Sequence, residues 1–172
     1  MNKNTLQHKL EAALSAVLGS NQRLRFLCHH HRDWVYFNSQ EALEKLDQIQ
    51  IKGEILMEHL NWAQALPLFG CAGETSEILL QVYGGDKPIL VNRFACLAVM
   101  INVCLERLGQ KECAELVCRQ TLSNLAMTSL QMEQGTENYN YLMDCMEQLK
   151  HPENFKLYVP SEAKDAAVNV LH

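Results

Sequence analysis

Apolar residues recur along this chain at helical spacing, in blocks separated by glycine, proline and asparagine. The first block, Leu6, Leu10, Ala13, Leu14, Val17 and Leu18, makes one apolar face, which Gly19 ends as a C-terminal cap. Leu24, Phe26 and Leu27 then open a short helix. It gives way to an irregular packed connection through three histidines and the aromatic cluster Trp34, Tyr36 and Phe37. Asn38-x-x-Glu41 has the form of a capping box, so a long helix starts there. Leu43, Leu46, Ile49 and Gly53 share its inner face, and Leu56, Met57 and Leu60 extend it. Asn61 caps the next helix, with Trp62 first.

Pro67 complicates that helix, because an interior proline removes a hydrogen bond. The helix either bends there or yields to a new one starting at Pro67, and Thr75 or Ser76 caps a piece holding Ile78, Leu79, Leu80, Val82 and Tyr83. Gly84-Gly85-Asp86 is the clearest break. Pro88 opens a helix that runs to Leu108 and stops at Gly109. It is apolar nearly all round, as a central buried helix is. Residues 110–131 form another helix, with Ala114, Leu116, Val117, Leu122 and Leu125 inward, and Gly135-Thr136 breaks it. A further helix spans 137–150, with Tyr141, Leu142, Cys145 and Leu149 on one face; His151-Pro152 ends it. In the tail, Phe155, Leu157, Tyr158 and Val159 read as extended, and Ser161 caps a last short helix. No alternating strand pattern occurs. The expectation is a single all-α domain over 1–172, of six to seven helices in partly stacked antiparallel hairpins. It has a weak internal break at Gly84-Gly85 and a partly extended tail over 152–172.

A second pattern lies on top of this one. Gly53 is followed by Ala65, by Phe69 at A-x3-F spacing, and by Ala72; Ala114 and Cys118 echo it behind Gly109. Small residues at these offsets let two antiparallel helices approach closely, and the aromatic fills the gap between them. The segment 48–72 thereby resembles a tetratricopeptide repeat, a unit of two helices and about 34 residues. Gly53, Ala65, Phe69 and Ala72 fall on that family's small and aromatic positions, while Ile49 and Lys52 stand where the family carries tryptophan and leucine. Segment 96–125 resembles a second unit, with Gly109 at the turn, Ala114 on the small position and Cys118 in place of the aromatic. The two units lie 49 residues apart, Ala65 to Ala114. The resemblance implies a non-catalytic protein-binding scaffold. Small acidic members of that family act as adaptors or chaperones, as those of bacterial secretion systems do.

Composition narrows the function classes. With 48% apolar and 20% charged residues over 172 positions, the chain has material for one ordinary core. A net charge of −5 and a pI near 5.8, with no basic cluster beyond Arg23, Arg25 and Arg32, speak against nucleic acid and against anionic membrane surfaces. The most apolar run, 94–105, is interrupted by Asn102 and far short of the roughly 20 residues a spanning helix needs. The N-terminus lacks the apolar core of a secretory signal, so a cytoplasmic protein is expected. Seven cysteines, an odd number without C-x-x-C, read as small buried hydrophobes in a reducing compartment.

Chemistry-bearing constellations are few. Cys28-His29-His30-His31 with Asp33 groups zinc-type ligands, and Cys28, His29 and His31 are the metal candidates. Adjacent histidines on a helix point about 100° apart, however, so a site there needs distant partners such as His59 or His151. No nucleophile elbow, P-loop or dinucleotide glycine motif is present, so no catalytic residue and no cofactor is expected. Glu41, Glu44, Asp47, Glu54 and Glu58 make a solvated acidic face. The favoured function is binding another protein, through a groove lined by the small and aromatic residues of the helix pairs or a surface left by incomplete stacking. Trp34, Tyr36, Phe37, Tyr139 and Tyr158 are the exposed-anchor candidates. The alternatives are a small-molecule- or metal-responsive regulatory domain with a polar pocket near 28–31, and a helical homo-oligomer, a homodimer for instance, that shares its central helix.

Overall fold

The computed structural model of the chain describes residues 24–85 and 87–151. Among these, six α-helices form and no strand: α1 His29–Phe37, α2 Ser39–Glu58, α3 Trp62–Tyr83, α4 Pro88–Arg107, α5 Lys111–Ser129 and α6 Glu137–Leu149. The all-α expectation holds. The apolar face read at 6–18 with its Gly19 cap, and the tail read at 152–172 with Tyr158, lie outside the described residues.

Each helix packs on the next in sequence, and α4 touches α3, α5 and α6. Contacts pair residues symmetrically about the turns, so neighbouring helices run antiparallel. Gly53 of α2 faces Phe69 of α3, Gly73 of α3 faces Ile101 of α4, and Asn102 of α4 meets Ala114 and Cys118 of α5. The core threads through all six helices, with Leu46, Leu66, Phe69, Leu97, Leu105, Leu125 and Leu142 among its fully buried side chains. Ala65, Ala72 and Ala114 are fully buried as well.

The α2–α3 and α4–α5 turns are built alike. Asn61 N–H donates to Leu56 carbonyl at 2.8 Å, and Gln110 N–H donates to Leu105 carbonyl, also at 2.8 Å. The residue before each has positive φ: 58° at Leu60 and 76° at Gly109. The 49-residue offset also carries Gly53 onto Asn102 and Phe69 onto Cys118. The first pair meets as ring against glycine; the second meets through Asn102 Nδ2, which donates to Cys118 Sγ at 3.3 Å. The same crossing is thus filled once by a large and an absent side chain and once by two mid-sized ones.

Several boundaries differ from expectation. The histidines and the aromatic cluster belong to one regular helix, α1, instead of an irregular connection. α2 does start after Asn38, yet no capping box forms: Asn38 Nδ2 turns back to Trp34 carbonyl at 2.9 Å and closes α1 instead. α3 runs unbroken through Pro67, with no new start at Thr75 or Ser76. Pro67 sits early in the helix on its exposed side, so the lost bond lies near solvent while Ala65, Leu66, Phe69 and Ala72 stay anchored in the core. Leu60 leaves the α2 face at its positive φ and is partly exposed, and Tyr141 turns outward from α6. Asn61 precedes α3 as read, but its side chain makes no capping bond; Pro88 opens α4 and Gly109 closes it as read, and at the Gly135-Thr136 break Thr136 Oγ1 accepts the Tyr139 N–H at 3.2 Å to cap α6.

Candidate functional site

The residues of the repeat-like signature are consumed by packing. Gly53, Ala65, Phe69, Ala72, Ala114 and Cys118 are buried, so the expected partner groove lined by them does not exist as an open surface. Gly109 is exposed at its turn.

The aromatic candidates separate into two kinds. Tyr36 and Phe37 end α1 with 58% and 80% of their surface exposed, their rings edge-on at 5.5 Å. Trp34 is half-buried against the core, with Lys45 Nζ 4.6 Å from its ring centroid. Tyr139 likewise packs on the core, so neither it nor Trp34 is a free anchor. The Tyr36–Phe37 corner stands at one end of the bundle. Ser39 Oγ lies 3.2 Å from Tyr83 Oη at the end of α3, and Lys87 Nζ lies 3.7 Å from the Tyr83 ring centroid. Gly85 in the α3–α4 turn abuts Thr128 and Met132 beyond it. These contacts bring three corners of the chain together, and the same corners expose Val82, Ile89, Met127 and Leu130. Val82 continues the buried stripe of Ile78 and Leu79 by one turn, whereas Ile89, Met127 and Leu130 lie off the buried stripes of their helices.

The metal candidates fall into separate pairs. Cys28 Sγ is 3.2 Å from His31 Nδ1, and His29 Nε2 is 3.4 Å from Asp33 Oδ2, all at exposed positions on α1 or, for Cys28, just before it. His59 binds its own helix end through Ile55 carbonyl, and His151 pairs with Glu147. Among the described residues no three His, Cys, Asp or Glu side chains converge as metal ligands do. The seven cysteines are all free thiols; Cys104, Cys113, Cys118 and Cys145 are buried, while Cys28 is exposed. Burial raises the thiols of Cys71, Cys96, Cys113 and Cys145. It pushes Cys118 up to about 11, against a lowering hydrogen bond from Asn102, and Cys104 up to about 12. Such thiols stay protonated and inert near neutral pH.

One site was hidden from sequence reading. The polar run Glu74-Thr75-Ser76-Glu77 is buried in mid-α3. Glu74 Oε1 accepts the Phe26 N–H at 2.6 Å, and its Oε2 accepts the Leu27 N–H at 3.3 Å and Arg32 Nη1 at 2.8 Å. Glu77 Oε1 accepts Asn124 Nδ2 at 3.1 Å. A cavity of about 40 Å³ opens beside Glu77, walled by Leu24, Phe94, Ile101 and Val117. Small-molecule pockets run to hundreds of cubic ångströms, so this space suits water-sized occupants. The signal available in sequence was two glutamates three apart inside an otherwise apolar stretch. Buried carboxylates of this kind require partners.

Comparisons with protein-family models, with curated proteins and with solved structures found no match for this chain.

Proposed function

We propose that this chain is a non-catalytic protein-binding module of tetratricopeptide-like helical-hairpin architecture, an adaptor or chaperone-like protein. It engages its partner through the end of the bundle that carries Tyr36 and Phe37. The observation that carries this reading is the exposure of that edge-on aromatic pair; Val82, Ile89, Met127 and Leu130 are exposed at the neighbouring corners. Aromatic side chains dominate interface energetics, and grouped exposed apolar residues mark interaction surfaces. The turn likeness between Leu60 and Gly109, and the 49-residue offset of the two crossings, support the repeat architecture, with a longer period than the family's. Free thiols throughout suit a reducing, cytoplasmic setting.

The small cavity disfavours the small-molecule alternative. The shared-helix oligomer is disfavoured by α4, most of whose apolar residues other than Ile89 pack on α3, α5 and α6 of its own chain. The test is capture from native lysate by the immobilised full chain, compared with Tyr36→Ala/Phe37→Ala. Loss of a bound protein at unchanged melting temperature supports the reading. Capture that ignores both substitutions, or retention of a small ligand in place of any protein, overturns it.

A further inference from the structure

The segment ahead of α1 is held on α3 as a receptor holds a peptide. Residues 24–27 are not helical. The Phe26 ring lies over Gly70, where a Cβ would fall 2.1 Å from the ring's Cγ, so the notch exists only because residue 70 is glycine. One turn along α3, the Glu74 carboxylate takes the two successive backbone N–H groups of Phe26 and Leu27. On the other side, Cys71 Sγ points its proton at the Phe26 carbonyl from 3.8 Å. Two residues earlier, Leu24 is buried against the wall of the small cavity. Arg25, between these anchors, is exposed. The recognition is thus of two successive backbone N–H groups, turned to one carboxylate through a bend at Leu27, plus two apolar side chains.

We propose that this notch on α3 is an exchangeable peptide-docking site. Residues 24–27 fill it in cis, and a non-helical segment of a partner protein, with an aromatic residue two positions after a leucine, takes their place. The proposal is independent of the Tyr36–Phe37 reading, since it concerns another surface and another readout. The charge arrangement makes exchange feasible. Glu74 keeps its ion pair with Arg32, which lies in α1 and not in the displaced segment, so the buried carboxylate stays compensated when the strap leaves. The strap itself competes at the high effective concentration of a tethered ligand, on the order of millimolar. A partner peptide therefore gains access when the strap's own anchor is weakened.

The test uses the full chain carrying Phe26→Ala and a fluorescent capped peptide with the sequence of residues 22–27, followed by anisotropy. Binding to Phe26→Ala at least tenfold tighter than to wild type is expected. It should be lost in Phe26→Ala/Gly70→Ala, where the new methyl fills the notch without meeting the ring. A peptide with alanine for its phenylalanine keeps both arginines and should not bind, which separates docking from charge attraction. Should Phe26→Ala not melt cooperatively, Phe26→Leu replaces it with the same readouts. Equal binding to wild type and variant, no binding to a cooperatively folded variant, or binding that survives Gly70→Ala overturns the proposal.

Discussion

Leu60 and Gly109 occupy the same place in two turns 49 residues apart, each at positive φ, with the following N–H bonded five residues back. Glycine adopts this conformation freely, whereas a leucine strains against its own Cβ by about 1–2 kcal/mol. Glycine's freedom in the unfolded chain offsets about 0.5–1 kcal/mol of that relief. Leu60→Gly is therefore expected to stabilise by about 0.5–1 kcal/mol. Gly109→Ala should destabilise by about 1 kcal/mol. Thermal melts of both variants check this; a fall in melting temperature for Leu60→Gly removes the strain assignment.

Gly53→Ala tests the first crossing. The added methyl would sit 2.7 Å from Phe69 Cε1, and Phe69 is fully buried. Alanine's better helix propensity works the other way by about 1 kcal/mol. Overpacking of a tight core dominates, and a net loss of about 1–3 kcal/mol is expected. Phe69→Leu in the same chain should make Gly53→Ala less costly, a coupling that a double-mutant cycle on denaturant unfolding reads directly.

Much of the fold was legible because its punctuation is local. Pro88 before an apolar run, glycine at 109 and threonine at 136 each act through their own backbone or side chain, so the sequence alone places α4 and α6. Pro67 and the run Glu74-Thr75-Ser76-Glu77 misled for the opposite reason. Read locally, a proline and a polar cluster mean a break and a cap, but the buried stripe from Ala65 to Leu80 holds α3 together through both. The docking role of Glu74 depends on Phe26, Leu27 and Arg32, more than forty positions away, and no local pattern announces it. The aromatic cluster was legible in the sequence, but that Tyr36 and Phe37 are exposed while Trp34 and Tyr139 pack on the core depends on neighbours no local pattern names.

Glu74→Ala should release the strap. It leaves two backbone N–H groups and the Arg32 guanidinium without their common acceptor, at a cost of about 3 kcal/mol. Glu74→Gln keeps an acceptor oxygen and should cost less. Amide exchange distinguishes release from general loosening: the Phe26 and Leu27 amides should lose protection before those of α4. Uniform loss across all helices argues against a strap held chiefly by this carboxylate.

Stability should be lost on the alkaline side. Cys104 and Cys118 hold their protons to about 12 and 11 in the folded chain, against 9.0 for an ordinary thiol. A raised folded value means the contribution is whole below the ordinary value and drains away as pH climbs toward 11–12. Each such thiol adds a slope of about 1.4 kcal/mol per pH unit in that window. Denaturant unfolding under reducing conditions at pH 8, 9.5 and 10.5 should show this fall. Cys104→Ala/Cys118→Ala, weaker at pH 8, should show a shallower decline; parallel curves would mean that other groups drive the alkaline loss.

Trp34→Ala and Phe37→Ala should differ sharply, although the residues are three apart on one short helix. Trp34 packs on the core and carries Lys45 over its ring, so truncation removes buried area and a cation–π contact. A loss of about 1–3 kcal/mol follows from a half-buried aromatic. Phe37 is 80% exposed and, among the rings of the described residues, meets only that of Tyr36, so its truncation should stay within about 0.5 kcal/mol of wild type. Partner capture should invert the order: Phe37→Ala abolishes it at full stability, whereas Trp34→Ala retains it at any temperature where the chain is folded. The inversion follows from geometry, because a residue spent on the core has little surface left to offer. Should Phe37→Ala unfold the chain and leave capture intact in the surviving fraction, Phe37 is a packing residue and the interaction surface lies elsewhere on the bundle.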